Sequence, residues 1–147
     1  MKPAYIFDVD GTLADCSHRL CYLQSDPKDW DSFYGSVSDD ARIKDVIQVA
    51  ESLQKAGFSI LIVTGRPENL MIDTIGWLRW NTGIRADGLF FRTLGDQRPD
   101  TEVKKEMYEN QIKNNFDVRG VFEDRKVVVD MWRSLGLTCF QVAEGNY

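Results

Sequence analysis

Two aspartates separated by one residue stand near the start of the chain, in the stretch "DVDGT" at residues 8–12. The apolar run before them, residues 5–7, is typical of a buried strand. If the extended conformation continues, the side chains of Asp8 and Asp10 point the same way, and a divalent cation would relieve their repulsion. The stretch therefore predicts a metal site in which one carboxylate attacks while the other handles protons. Gly11 permits the turn behind it.

Other polar side chains stand where later strands are predicted to end, and ligands bind beyond the carboxyl ends of such strands. Residues 64–66, Thr-Gly-Arg, offer a hydroxyl and a guanidinium suited to phosphate oxygens. Residues 123–125, Glu-Asp-Arg, add a second pair of acids, and Lys104 could neutralise phosphate as a point charge. Each could alone be a surface residue, but in combination they predict a metal-assisted phosphoryl-transfer site.

Five short apolar runs, rich in β-branched and aromatic residues, predict the strands that carry these side chains. They lie at residues 4–8, 58–64, 89–92, 121–123 and 138–142. Near-continuous apolar runs favour strands that are buried on both faces of a parallel sheet. Because helical patterns separate them, they predict an α/β fold: a doubly wound, mainly parallel five-stranded sheet with helices on both faces.

The helical patterns lie between the predicted strands. The first helix is predicted between an N-cap at Ser38-Asp39 and a stop at Gly57, and the second is predicted to start at Pro67. Two further helices are predicted over residues 101–114 and 126–135.

The stretch at residues 15–37 interrupts this alternation, because it is polar and rich in turn-forming residues. Its aromatic residues are Tyr22, Trp30, Phe33 and Tyr34. It is too short for a separate domain, so we expect one domain over residues 1–147 with a flap that packs near the first motif. The flap aromatics could stack a terminal base or serve only in packing.

Net charge and residue counts exclude several classes of function. The formal net charge of −5 argues against tight, non-specific binding along a nucleic-acid backbone, although a local arginine cluster could still hold a small anionic substrate. His18 is the only histidine, which excludes a histidine-based triad or a histidine-rich metal site. No apolar run approaches the roughly 20 residues that a membrane span needs.

Cysteine spacing and the first residues bear on the compartment. Cys16, Cys21 and Cys139 lack the paired spacing of a zinc site, so we expect reduced thiols. The chain leads directly into a strand, and no secretory signal is predicted. These features predict a cytoplasmic protein.

The order of these motifs resembles that of the haloacid-dehalogenase-like (HAD) phosphatase superfamily. The motifs are "DVDGT", "IVTGR", Lys104 and "FEDR", which together span nearly the whole chain. The stretches "IVTGRPE", "GDQRPDTEVKKEMY" and "FEDRKVVVDMWRSLGLTCFQVAEGNY" are similar to the 3′-phosphatase domains of phage polynucleotide kinase/phosphatases. The resemblance implies a HAD-like Rossmannoid fold with a minimal flap in place of a cap domain.

The resemblance also implies catalytic roles. Asp8 would be the nucleophile that forms an aspartyl-phosphate, and Asp10 would protonate the leaving hydroxyl and then deprotonate the hydrolytic water. Thr64 and Lys104 would hold the transferring phosphoryl group. Asp8, the main-chain carbonyl of Asp10 and Asp124 would bind Mg²⁺, whose charge offsets that of the phosphoryl group.

A second set of residues would bind substrate under the same resemblance. It comprises Thr12, Arg19 in the flap, Arg66 and Asp96, the last of which would orient one of the two arginines. Glu123 stands where the relatives have an aspartate, so we expect it behind the metal ligands or bound to the ion through water. No G-x-x-x-x-G-K-[S/T] loop occurs in the chain, so the kinase half is missing and no ATP is expected.

Three functions remain open from the sequence. The leading hypothesis is a Mg²⁺-dependent phosphomonoesterase acting on the 3′-phosphates of nucleic-acid ends or nucleotides, because an open site under a small flap admits the end of a polymer. A 5′-nucleotidase or small-metabolite phosphatase fits the acidic composition. A non-catalytic module of the same fold is disfavoured by the intact set of site residues. The sequence leaves open whether a separate kinase or ligase works with the chain.

Overall fold

The computed structural model describes residues 1–145. Within that range the strands are β1 (Lys2–Phe7), β2 (Ala14–Asp15), β3 (Ala41–Arg42), β4 (Ser59–Pro67), β5 (Gly88–Arg92), β6 (Phe116–Arg125) and β7 (Cys139–Gly145). The α-helices are α1 (Trp30–Gly35), α2 (Lys44–Lys55), α3 (Met71–Asn81), α4 (Asp100–Met107) and α5 (Lys126–Ser134). No helix in this part of the chain is both long enough and apolar enough to cross a membrane.

The main sheet has five strands in the order β5-β4-β1-β6-β7, and every neighbouring pair is parallel. The predicted α/β architecture is therefore confirmed. β1 is the central strand, and Phe7 near its end lies opposite Ile62 of β4 and Phe122 of β6. This register brings Asp8, the residue after β1, level with the carboxyl ends of both neighbouring strands.

Alternating side chains of the central strands build a core on each face of the sheet. On one face, Ile6 and Leu61 lie in a buried cluster with residues of α4 and α5. On the other face, Phe7 and Ile62 lie in a cluster with residues of α2 and α3. Because successive side chains of a strand point to opposite faces, an almost continuous apolar run supplies both cores.

The flap joins the domain differently from the prediction. Val37–Asp39 forms a 3₁₀ turn, and Ala41–Arg42 then pairs antiparallel with Ala14–Asp15. This two-stranded ribbon keeps the chain extended, so α2 begins only at Lys44 and its first turn has no side-chain cap. The predicted N-cap at Ser38-Asp39 was wrong, and the insertion closed by the ribbon reaches beyond the expected end at Val37.

Other boundaries also differ from the predictions, and β6 begins at Phe116 instead of residue 121. β4 continues to Pro67, which lies opposite Arg92 of β5, so Pro67 ends a strand and the helix starts at Met71. The predicted helix over residues 101–114 is α4 followed by a π-helical turn over Tyr108–Ile112. At Pro67 strand pairing prevails over the preference of proline for a first helical turn.

Candidate active site

The Asp8 side chain lies at the carboxyl end of β1, in contact with a buried lysine. The ammonium group of Lys104 donates to Oδ1 of Asp8 at 2.9 Å and to Oε2 of Glu123 at 2.8 Å. Asp8, Lys104 and Glu123 are 5%, 2% and 1% exposed, so water screens these charges poorly. Two strand ends and one helix thus place a carboxylate pair around a single cation.

Asp124 completes a cluster of three acids with Asp8 and Glu123. One oxygen from each lies within 4.8 Å of the others, which is a spacing that could hold a metal ion. The Thr12 hydroxyl lies 3.3 Å from Oδ2 of Asp8 and 3.5 Å from Oδ1 of Asp124. Carboxylate oxygens are the ligands preferred by Mg²⁺ and Ca²⁺, so the donor set suits a hard divalent cation.

Burial and neighbouring charge perturb the ionisation of these groups. Burial and the charge of Glu123 raise the pKa of Asp8 to about 8, although Lys104 acts in the opposite direction. Burial also raises the pKa of Glu123. Burial alone would lower the pKa of Lys104, but Asp8 and Glu123 outweigh it and hold this pKa above its usual value. The lysine therefore stays charged.

Two arginines hold the carboxylate of Asp10. Nη2 of Arg19 and Nη2 of Arg66 each donate to Oδ1 of Asp10 at 2.7 Å, and Nε of Arg66 donates to Oδ2 at 3.2 Å. Burial alone would raise the pKa of Asp10, but the charges and hydrogen bonds of Arg66 and Arg19 outweigh it and lower this pKa. Asp10 is thus kept ionised and fixed in orientation.

Asp40 is a site residue that the sequence reasoning missed. Its carboxylate accepts two hydrogen bonds from Arg19, at 2.8 and 2.7 Å, and one from Arg66 at 3.3 Å. His18 also contacts it, with Nε2 at 2.6 Å from Oδ1. Asp40 directly precedes β3, so the β2–β3 ribbon brings it to the arginines. No local motif marks it, because its partners lie 21 and 26 residues away in sequence.

A cavity of about 950 Å³ opens over Asp8, between the flap and the segment before α4. Its flap wall is formed by Leu23, Lys28, Trp30, Phe33 and Tyr34. The rest of its lining includes Arg92, Asp96, Arg98, Asp100 and Arg125, called here the arginine wall. The cavity is larger than a phosphate group needs, and it combines aromatic side chains with arginines that are paired with acids.

The predicted site residues divide into two groups. Those that line the cavity are Asp8, Asp10, Arg66, Asp96 and Lys104. Thr12, Arg19, Thr64 and Asp124 are buried beside or behind its described lining. The Thr64 hydroxyl accepts a hydrogen bond from the backbone N–H of Arg66 at 3.1 Å. Thr12 and Arg19, which are expected to bind substrate, contact the carboxylates of the site in this structure.

Asp100 links two arginines of the arginine wall, and the sequence reasoning missed this group as well. Its Oδ1 accepts from Arg92 and its Oδ2 accepts from Arg125 at 2.8 Å. A side chain at Gly65 would force the Asp100 carboxylate to shift, because a Cβ there would lie 2.5 Å from Oδ1 of Asp100. The glycine after Thr64 therefore allows close approach of α4 to β4.

Asp96 does not make the predicted contact with Arg19 or Arg66. Both of its carboxylate oxygens accept from Arg98, with distances from 2.8 to 3.2 Å. The Asp96 backbone carbonyl accepts from Arg92 at 3.2 Å. The physical reason is proximity in sequence: the short turn brings Arg98 to Asp96, whereas Arg19 and Arg66 are already saturated by Asp10 and Asp40.

Comparisons with known proteins agree with this geometry. A family model described as the polynucleotide kinase PNKP phosphatase domain matches residues 2–147. The chain is 31% identical over 141 residues to a candidate bifunctional polynucleotide kinase/RNA ligase of Autographa californica nuclear polyhedrosis virus, across 95% of this chain and 19% of that protein. The chain thus spans about a fifth of the length of that curated relative.

Solved structures give the same result. Chains in the Pnkp1/Rnl/Hen1 complex and the Pnkp1/Rnl/Hen1 RNA repair complex are 30% identical, with TM-scores of 0.85 and 0.86. These matches cover 100% of this chain and 48% and 44% of those chains. A class C acid phosphatase from Bacillus anthracis is 18% identical with a TM-score of 0.73, across 99% of this chain and 68% of that chain, and shows the fold alone.

The parallel sheet and its structural neighbours define a HAD-type hydrolase fold, and the matching family model identifies a phosphatase domain. Within that class, the chain belongs to the family of polynucleotide kinase PNKP phosphatase domains.

Proposed function

We propose that the chain is a Mg²⁺-dependent phosphomonoesterase that removes 3′-phosphates from nucleic-acid ends through an aspartyl-phosphate. The observation that carries this proposal is the position of Asp8 on the cavity, with Lys104 on one oxygen and the other acids beside it. In the first step an Asp8 oxygen attacks phosphorus and the bond from phosphorus to the leaving O3′ breaks. In the second step water attacks the acyl phosphate, which releases phosphate and restores the Asp8 carboxylate.

Asp10 is the proposed proton carrier in both steps. Arg66 and Arg19, which lower the pKa of Asp10, favour the second step, in which ionised Asp10 takes a proton from water. The first step needs protonated Asp10 to donate to the leaving oxygen. A phosphate dianion bound nearby opposes the arginine charges, so substrate binding itself moves the pKa of Asp10 upward.

The acid cluster is the proposed site for Mg²⁺. Asp8 and Asp124 would hold the ion together with the predicted main-chain carbonyl of Asp10. Glu123 would act mainly behind them, because its oxygens already accept from Lys104 and from the backbone N–H groups of Asp124 and Arg125. When bound, the ion offsets negative charge on the transferring phosphoryl group. Lys104 and the Thr64 hydroxyl would contact the oxygens of the transferring phosphoryl group.

The raised pKa of Asp8 predicts a specific dependence of stability on pH. Unfolded Asp8 ionises near pH 4, whereas burial holds the folded pKa at about 8, so the folded chain binds the extra proton between these values. Without metal, the free energy of unfolding should therefore fall as pH rises from about 6 to 8, and Mg²⁺ should abolish this slope. Urea unfolding at several pH values, with and without Mg²⁺, measures how the free energy of unfolding depends on pH. A metal-free stability that rises over this interval contradicts the assignment.

The arginine wall supports a polymer end over a small metabolite. Arg92, Arg98 and Arg125 line the same cavity as Asp8, where they could contact a phosphodiester of the same strand in competition with the acids that pair with them. Solved relatives belong to a complex described as an RNA repair complex. We therefore propose that the chain acts in end repair beside a kinase or ligase, on the same polypeptide or a separate one.

A panel of phosphate esters tests the substrate. We expect phosphate release to be fastest from a 3′-phosphorylated oligonucleotide, slower from 3′-dTMP, and slowest from 5′-dTMP and a generic aryl phosphate. Chelation of Mg²⁺ should stop release from all four. A strong preference for 5′-dTMP would replace the leading function by the nucleotidase alternative. No release from any substrate would favour a non-catalytic module.

A further inference from the structure

The flap presents a stacked pair of aromatic rings to the cavity. The rings of Trp30 and Tyr34 are 5.7 Å apart at an angle of 25°. Trp30 is 47% exposed, and both residues line the cavity that contains Asp8. The pair therefore offers aromatic surface within the same space as the reacting group.

Packing of the flap is achieved mainly by a different aromatic residue. Phe33 is 4% exposed and lies edge-on against both Trp30 and Tyr34. The guanidinium carbon of Arg19 lies 4.4 Å from the centre of the Phe33 ring, which ties the flap to the arginines that hold Asp10. Since Phe33 supplies this anchor, the half-exposed Trp30 is not needed to fill the core.

Tyr34 connects the aromatic surface to the charged part of the cavity. Burial and the charges of Asp100 and Asp10 raise the pKa of its hydroxyl to about 12, so this group stays neutral and keeps its proton. Arg92 and Arg66 also act on it electrostatically. Tyr34 is thus close enough to Asp10 and Asp100, which line the same cavity, to interact with both electrostatically.

We propose that Trp30 and Tyr34 form a stacking platform for the base of the 3′-terminal nucleotide, an inference that rests on the proposed function. The lining of the cavity suits this occupant, because Arg92, Arg98 and Arg125 can contact phosphodiesters in competition with their partners Asp96 and Asp100, while the flap wall offers a π-surface. The ammonium group of Lys28 lies over a Trp30 ring, 5.8 Å from its centre, and adds positive charge at that face. Stacking tolerates any base, so the platform recognises a nucleotide without reading its sequence.

The experiment combines a flap variant with a substrate that lacks the base. Two oligonucleotides are compared, one with an ordinary 3′-phosphorylated nucleotide and one whose last unit is a 3′-phosphorylated tetrahydrofuran abasic analogue. Trp30→Ala should lower kcat/KM for the ordinary oligonucleotide about 5- to 100-fold. The unchanged chain should lose a similar factor on the abasic substrate, and Trp30→Ala should add no further loss there.

Two further variants separate stacking from folding. Trp30→Phe should recover most of the activity on the ordinary substrate, because it keeps an aromatic face. Trp80→Ala is the matched control, since Trp80 is 90% exposed and lies outside the cavity lining, and it should change neither rate. Thermal unfolding of each variant shows whether the flap change alters the fold.

The outcomes that overturn the inference are distinct. Equal losses for Trp30→Ala on both substrates would indicate a general defect of the flap and reject the platform, as would no loss on either. In both cases release of 3′-phosphate by the unchanged chain leaves the proposed function standing. No release from either oligonucleotide by the unchanged chain overturns the proposed function, and the platform with it.

Discussion

Replacing Asp8 by asparagine should lower kcat by roughly 10³-fold or more, because an amide oxygen is a poor nucleophile and forms no acyl phosphate. The substitution is nearly isosteric, and its amide oxygen can still accept from Lys104. We therefore expect the variant to fold and to bind a 3′-phosphorylated oligonucleotide. Loss of turnover with retained binding would assign to Asp8 a role in the chemical step rather than in substrate capture.

The measurements are phosphate release under saturating substrate and trapping of a labelled phosphoenzyme. Asp117→Asn is the matched control, because Asp117 lies at the opposite end of β6 in an exposed pair with Arg119. It should leave both signals unchanged. Near-normal turnover by Asp8→Asn would refute the covalent role of this residue.

Replacing Arg19 by alanine should affect both stability and the chemical step. The Arg19 side chain is fully buried and donates to both Asp10 and Asp40. Its removal therefore deprives both carboxylates of this shared partner. Breaking a buried ion pair from one side costs about 3–5 kcal/mol of unfolding free energy. Because Arg19 does not line the described cavity, kcat should fall more than KM rises.

Denaturant unfolding and steady-state kinetics test this expectation. Arg119→Ala removes an exposed arginine that also pairs with an aspartate, and we expect it to cost less than about 1 kcal/mol and to leave kcat unchanged. If Arg19→Ala keeps full stability and only raises KM, the result would contradict this expectation and support the substrate-binding role predicted from the sequence.

The strand ends could be predicted because the residues that identify them are adjacent in sequence. The near-continuous apolar runs and the polar residues after them identified β1, β4 and β6 and predicted that Asp8, Thr64 and Asp124 lie at one edge of the sheet. Parallel strands flanked by helices leave few other arrangements, so a short-range pattern was enough. The positive φ of Gly11, 80°, likewise confirmed the turn expected behind the aspartates.

The partners of the arginines were not predictable in the same way. Asp40 and Asp100 resemble any surface acid in the sequence, yet one holds Arg19 and Arg66 and the other holds Arg92 and Arg125. The role of Asp96 was implied by the resemblance to the relatives, which contain an aspartate in the corresponding stretch. Asp96 contacts Arg98 instead, which shows that a matching motif does not identify an ion-pair partner.

The amino-acid sequence by itself determined the parallel sheet, the carboxylates at its edge and the class of reaction they suit, since these follow from periodicity and side-chain chemistry. Only the tertiary structure decided how the charges are divided. Lys104 lies with Asp8 and Glu123, whereas Arg19 and Arg66 lie with Asp10 and Asp40. The physical reason is that buried charges must find partners in space, and chain segments far apart in sequence supply them only after the flap and helices have packed.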